Sequence, residues 1–301
     1  MGSIRKISFS LLTGAMLLTG VGQAQQDAKA KQDIKTLEMV RLATQTVLVA
    51  SANDHSHWEY KDSYRSPDGE KLMRVVETGK GALKKVVERD GLSLTPEELK
   101  QEDARLESFV NNPAQQAKQH RDNVQDDKRA ESMLRMLPEA FVWKAAGEDA
   151  KTMTLAFTPD PKFTPPTMES RVFAAMAGEI VVDKAQHRIV TIKGKLTDDV
   201  KFGFGFFGRM KQGGTFEVVR RQLAPGIWQI AESHVHIDGK ALLFKSIGEQ
   251  EDDVKSEFRR VPAEETLEQA AMKLRGEPAS LSAQQQHYGR AGGPVAAFFG
   301  R

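Results

Sequence analysis

The chain has 301 residues, 43 basic and 41 acidic side chains, a net charge of +2 and no cysteine. So even a balance offers no basic surface to nucleic acid or to an anionic membrane, and the missing cysteines exclude disulfide staples and a cysteine nucleophile. With its 24 glycines added to the 40 % hydrophobic residues, the apolar share is about 48 %, enough for a filled core in one large domain or two small ones.

Residues Met1 to Ala24 have the three parts of an export signal: Arg5 and Lys6, an apolar stretch from Ile7 to Val21, and the small-residue site Gly22-Gln23-Ala24. Cleavage is expected before Gln25, leaving a protein that is periplasmic or secreted, does not span the membrane and has no Cys for a lipid anchor. The apolar stretch is shorter than the roughly 20 residues a spanning helix needs.

From Asp33 to Ala52, Ile34, Leu37, Val40, Leu42, Val47 and Leu48 recur at helical spacing, which predicts a helix that lays its stripe on a sheet. His57 to Tyr64, Lys71 to Glu77 and Leu83 to Glu88 read as strands, separated by Ser66-Pro67-Asp68-Gly69 and Thr78-Gly79-Lys80-Gly81. Thr95-Pro96-Glu97-Glu98 is a capping box with proline at the first helical position, so a helix starts there and runs to Val110; Asn112-Pro113 starts another that ends near Leu137. Its middle, Gln115 to Arg129, is almost wholly polar and therefore solvated, whereas Met133, Leu134, Met136 and Leu137 return to the core.

Strands are expected around Phe141 to Trp143 and Met153 to Phe157, then a stiff Pro159 to Pro166 connection and a short helix from Met168 to Met176. A meander follows: Gly178 to Asp183, Arg188 to Leu196, Val200 to Met210, Thr215 to Gln222, Ile227 to Ile237, Ala241 to Ile247 and Val254 to Val261. Glu264 to Leu274 reads as a closing helix, and the Gln-, Ala- and Gly-rich residues 276–301 as a flexible tail. The fold class is thus α+β: a strongly curved antiparallel sheet of about ten strands. It is one half-barrel domain over residues 25–275, covered by the N-terminal helix and a helical insertion at 95–137.

This order of elements resembles the lipoprotein-carrier (LolA/LolB-like) superfamily, in which helices plug the mouth of an incomplete antiparallel barrel. Asn53-Asp54-His55-Ser56, Val76-Glu77-Thr78, Phe157-Thr158-Pro159-Asp160-Pro161-Lys162-Phe163-Thr164-Pro165-Pro166, Phe202-Gly203-Phe204-Gly205 and His236-Ile237-Asp238-Gly239-Lys240-Ala241-Leu242 carry a closer likeness, to a family of exported bacterial proteins without an assigned activity. The first resemblance implies a fold and, by analogy, an apolar ligand. No ligand-contact residue carries over from it.

Three groups of residues bear on function. Gly203, Gly205 and Gly208 spell G-x-G-x-x-G, but a dinucleotide site needs a helix directly after them, and here Gly213-Gly214 and a further strand follow. Glycines in strands instead mark bends or close approaches. Phe202, Phe204, Phe206 and Phe207, with Leu242 and Phe244, would then either line an apolar cavity or fill a core, filling being the commoner fate of large apolar side chains. Glu232, His234 and His236 alternate along one strand, so they share a face, and two histidines at that spacing can hold a metal if His187 or Glu232 supplies a further ligand. The acidic runs Asp198-Asp199 and Glu251-Asp252-Asp253 read as solvated turns, and no G-x-S-x-G or H-E-x-x-H is present. The sequence therefore points to a non-catalytic carrier or sensor of a lipid or other apolar small molecule, with no cofactor. The alternatives are an envelope interaction module that meets a protein partner through the polar hairpin, and a metal-dependent enzyme centred on His234 and His236.

Overall fold

The computed structural model describes residues 18–202, 208–241 and 250–276. The expected boundary at Ala24 falls inside the first helix, α1 (Leu18–Asn53), which begins well before Asp33. Three strands follow: β1 (His57–Ser66), β2 (Gly69–Thr78) and β3 (Gly81–Arg89), with the two-residue β4 (Leu92–Ser93) closing the set. Helix α2 (Pro96–Val110) starts where the capping box predicts: the Glu98 amide donates to Thr95 Oγ1 (3.3 Å), and Glu98 Oε2 accepts from the Thr95 amide (2.9 Å). Helix α3 (Pro113–Ala140) passes through Pro138 before it ends, three residues beyond the expected stop.

The remaining strands are β5 (Phe141–Glu148), β6 (Thr152–Pro159), β7 (Met176–Asp183), β8 (Arg188–Leu196), β9 (Val200–Phe202), β10 (Gly208–Met210), β11 (Thr215–Ala224), β12 (Ile227–His236), β13 (Gly239–Ala241) and β14 (Gln250–Val261). The short helix expected from Met168 to Met176 is a 3₁₀ helix over Glu169–Ala175. Helix α4 (Leu267–Arg275) starts three residues later than expected, because Thr266 and Gln269 form the capping box that fixes its first turn.

Eleven strands make one open antiparallel sheet, ordered β4-β3-β2-β1-β14-β12-β11-β8-β7-β6-β5. The single strand expected over Val200 to Met210 is instead two short strands, and with β13 they form a separate three-stranded sheet ordered β13-β10-β9. Glu251-Asp252-Asp253, expected as a solvated turn, lies within β14. There Asp253 is opposite Tyr64 and Ser233, and Asp252 is opposite Arg65 and His234.

Alternation along the strands gives the sheet an inner and an outer face. Trp143, Leu155, Phe157, Ile180, Ile192, Phe216 and Val218 are buried on the inner face between β5 and β11, beneath Val40, Ala43 and Val47 of α1 and Ala130, Leu134 and Leu137 of α3. At the other end of the sheet the helices lie on the opposite face: Val76, Leu83 and Val261 are buried under Leu106 and Phe109 of α2 and Ala270, Ala271 and Leu274 of α4. The inner face of that end bears Trp58, Tyr60 and Val75. Leu223 and Ile227, from the tip of the β11–β12 hairpin, pack against these three, and that reach across the sheet follows from its curvature.

Two glycines stand opposite each other where the curved sheet is most crowded. Gly178 of β7 pairs with Gly194 of β8, and the rings on the strands to either side, Phe157 and Phe216, are opposite them in the same row. A Cβ on Gly178 would overlap the Lys193 carbonyl oxygen, and one on Gly194 would come within 2.8 Å of the Phe216 ring. Gly178→Ala is expected to destabilise the fold by about 1–3 kcal/mol through this overpacking, read as a lower urea midpoint.

Candidate functional site

Of the apolar candidates, Phe202 has its backbone in β9 opposite Gly208. Its side chain, and all of Phe204, Phe206, Phe207, Leu242 and Phe244, lie outside the described residues. Val200 and Met210, which flank that stretch, are buried in the main core, so the three-stranded sheet is docked against it.

Open space occurs at the seam between the two covering helices. A cleft of about 240 Å³ is lined by Leu48 and Val49 of α1, Asp127, Ala130 and Leu134 of α3, and Arg220 of β11. Arg220 follows Phe216 and Val218 in the inward alternation of its strand and is buried. Burial, and then the neighbouring Arg188 guanidinium, bring its pKa down to about 10, against the opposing pull of Asp54. Asp127 lines the same cleft, and burial together with the adjacent Asp126 raises its pKa to about 6. Arg135 is engaged by Glu131 one turn away on α3 (2.5 Å). The cleft therefore combines apolar walls with the inward Arg220 guanidinium, the Glu131–Arg135 pair and the Asp127 carboxyl group, which gains a proton near pH 6.

A second polar group lies on the inner face of the β1–β2–β14 end. Asp62 is 1 % exposed, and Lys84 Nζ is 3.6 Å from its carboxylate. Burial and then the Asp253 carboxylate raise Asp62 to about 6, while Lys84 and Lys255 restrain the rise. Beside it, Lys255 Nζ is 3.7 Å from Asp253 and 5.8 Å from the centre of the Tyr60 ring. Glu77 accepts the Trp58 amide hydrogen at 3.0 Å, and burial raises its pKa in spite of that bond.

Glu232, His234 and His236 do share the outer face, as their alternation requires. The partner of the two histidines is Asp252 of β14: its Oδ1 is 2.7 Å from His234 Nδ1 and 3.0 Å from His236 Nε2. Glu232 Oε2 is 3.6 Å from His234 Nε2, and Arg221 donates to Glu232 at 2.6 Å. Both rings thus point at one carboxylate oxygen in an ion-pair arrangement. Among the described residues no three His, Asp or Glu side chains are placed to hold a metal ion, and His187 joins none of these groups.

No family model and no curated protein matches the sequence. Among solved structures, the chain is similar to a domain described as that of an outer membrane lipoprotein-sorting protein from Vibrio parahaemolyticus, at 12 % identity over 78 % of this chain and 99 % of that one, with a TM-score of 0.30. It is also similar to MucB, solved in complex with MucA(peri), at 10 % identity over 76 % of this chain and 97 % of that one, with a TM-score of 0.19. At these values neither carries an argument about activity or ligand. Among the described residues, no helix is long and apolar enough to cross a membrane.

Proposed function

We propose that the protein is a non-catalytic carrier or sensor of the periplasm that takes the end of an apolar chain, such as a lipid acyl group, into the cleft between α1 and α3. The observation that supports this most directly is the cleft itself, which lies where the helical cover meets the curved sheet and has Leu48, Val49, Ala130 and Leu134 in its walls. An apolar cavity of roughly 150 Å³ holds one benzene ring, so a space of about 240 Å³ suits a short run of methylenes and not an entire lipid anchor. Burying six methylenes contributes about 5 kcal/mol before the costs of association, which on its own corresponds to a dissociation constant no tighter than a few tenths of a millimolar, on the order of 10⁻⁴ M. Asp127, ionised above about pH 6, opposes a ligand with an anionic end. Binding of a fatty acid is therefore expected to tighten as pH falls from about 7.5 to about 5.5.

The test is titration with a fluorescent fatty acid, together with native mass spectrometry and lipid extraction of the purified protein. Val49 is half-exposed at the cleft rim, so Val49→Trp should weaken probe binding by about tenfold while leaving the urea midpoint in place. A wild-type protein that retains no lipid and binds no probe would end this proposal.

One observation favours the envelope interaction module as a second reading. Ile34, Leu42 and Val49 are 59 %, 44 % and 48 % exposed, and intervals of eight and seven residues keep them on one side of α1. Site-specific crosslinking from Leu42 that recovers one defined envelope protein, with no lipid bound, would support it.

A further inference from the structure

The outer face of the sheet carries a row in which every rung is ionisable. Glu179 of β7 is opposite Lys193 of β8, Lys193 is opposite Glu217 of β11, and Glu217 is opposite His234 of β12. The row continues from His234 to Asp252 of β14, from Asp252 to Arg65 of β1, and from Arg65 to Glu70 of β2. Directly opposed residues on antiparallel strands share a face with their Cβ atoms about 5 Å apart, so these side chains form one line across seven strands. Their signs alternate from end to end provided that the central rung, His234, is a cation. A neutral ring leaves Glu217 and Asp252 on either side of an uncharged gap.

Three of the six junctions along the row are close ion-pair contacts. Lys193 Nζ is 2.9 Å from Glu179, Arg65 Nη2 is 3.0 Å from Glu70, and His234 Nδ1 is 2.7 Å from Asp252. The position of His234 in the topology gives it a larger role than a surface ion pair has. The β12–β14 contact joins the β4-β3-β2-β1-β14 strands to the β12-β11-β8-β7-β6-β5 strands, and among the described residues nothing else in the hydrogen-bonded order connects them. Its ladder covers the five residues Glu232 to His236 against Val254 to Gln250. His234 and His236 both reach across that ladder to the same oxygen of Asp252.

We propose that the β12–β14 contact is a pH-dependent joint: a protonated His234 completes the charged row and holds the two parts of the sheet together, and loss of that proton loosens the junction. The groups facing the ring are Glu217 from β11, Glu232 and His236 from its own strand, and Asp252 from β14. Lys193 acts on it through Glu217, Arg221 through Glu232, and Arg65 through Asp252. Partial burial lowers the His234 pKa, but the bond to Asp252 and the charges of Asp252 and Glu232 outweigh it, so the ring titrates above its ordinary value. Asp252 is held below its usual range by the two histidines against the effect of burial. A raised histidine stabilises fully below about pH 6.5 and ceases to do so as pH rises through its folded pKa; a depressed aspartate stabilises above about pH 4. The joint is therefore tightest between these limits and opens on the alkaline side.

Hydrogen exchange resolved to residues 231–236 and 250–254 tests this at about pH 5.5 and about pH 8, after correction for intrinsic exchange rates. Protection is expected to be at least about fivefold higher at the lower pH in the wild type, to lose that dependence in His234→Gln, and to be high at both pH values in His234→Arg. All three are compared with Asp62→Asn also in place, because that inner-face carboxyl titrates near pH 6 and would by itself favour the lower pH. If His234→Gln does not fold, a ring titration followed by NMR decides the matter: the wild-type midpoint must lie above about 6.5 and must fall in Glu217→Gln. A midpoint at or below that value, or a pH dependence that survives His234→Gln, would overturn the proposal.

Discussion

Phe157→Ala is expected to cost about 3–5 kcal/mol of folding free energy, the largest loss anticipated from a single truncation in this chain. The ring is 2 % exposed, and its centre is 4.6 Å from that of Phe141 and 5.4 Å from that of Trp143. Its neighbour on the other side is Gly178, opposite it on β7. The cost should reach the upper part of the range because the site collapses poorly. Gly178 has no side chain to move into the space, and Phe141 is already held by Phe173 with ring centres 5.3 Å apart. Urea unfolding with an unchanged slope would report the loss; a change under about 1 kcal/mol would mean that these rings do not form one packed unit.

Asp62→Asn should act in the other direction and raise stability at neutral pH by about 2–3 kcal/mol, with Leu and other apolar replacements avoided because Lys84 remains close by. The folded protein holds the Asp62 proton up to about pH 6, whereas an unfolded aspartate releases it near pH 4. Between those values the folded state binds more protons than the unfolded state, so stability falls as pH rises, and the full penalty is present above about pH 6. Asparagine carries no such penalty. The gain should be fully developed at about pH 7.5 and absent at about pH 4, and Lys84, 37 % exposed, can turn to water once its partner is gone. Thermal or urea midpoints across that range are the measurement. A variant destabilised at every pH would show that the ionised Asp62 holds the inner face together through its lysines.

The parts of this fold that were legible in the sequence are those decided by local chemistry. Thr95 and Glu98 announce α2 because both hydrogen bonds of a capping box form within four residues. The alternation of Phe216 and Val218 sets β11, and extending it by one step to Arg220 would have placed a guanidinium among apolar side chains. What local chemistry does not decide was missed. The acids of β14 have the composition of a turn, and they become strand only because β1 and β12 are present on either side to pair with them. The role of His234 was hidden for the same reason: alternation shows that it shares a face with Glu232 and His236, but its partner Asp252 comes from a strand whose position only the topology reveals.

That topology also bears on how the chain reaches its final form. β14 begins at Gln250, yet it pairs with β1, which begins at His57, and Trp58 is opposite Arg260. Until this late segment is in place, β1 and β12 each keep an unsatisfied edge, and the two parts of the sheet have no common strand. Contacts so distant in sequence make for slow folding and a long-lived intermediate open to edge-to-edge association. A chain truncated before Gln250 would therefore be expected to aggregate, not to persist as a smaller version of the same protein.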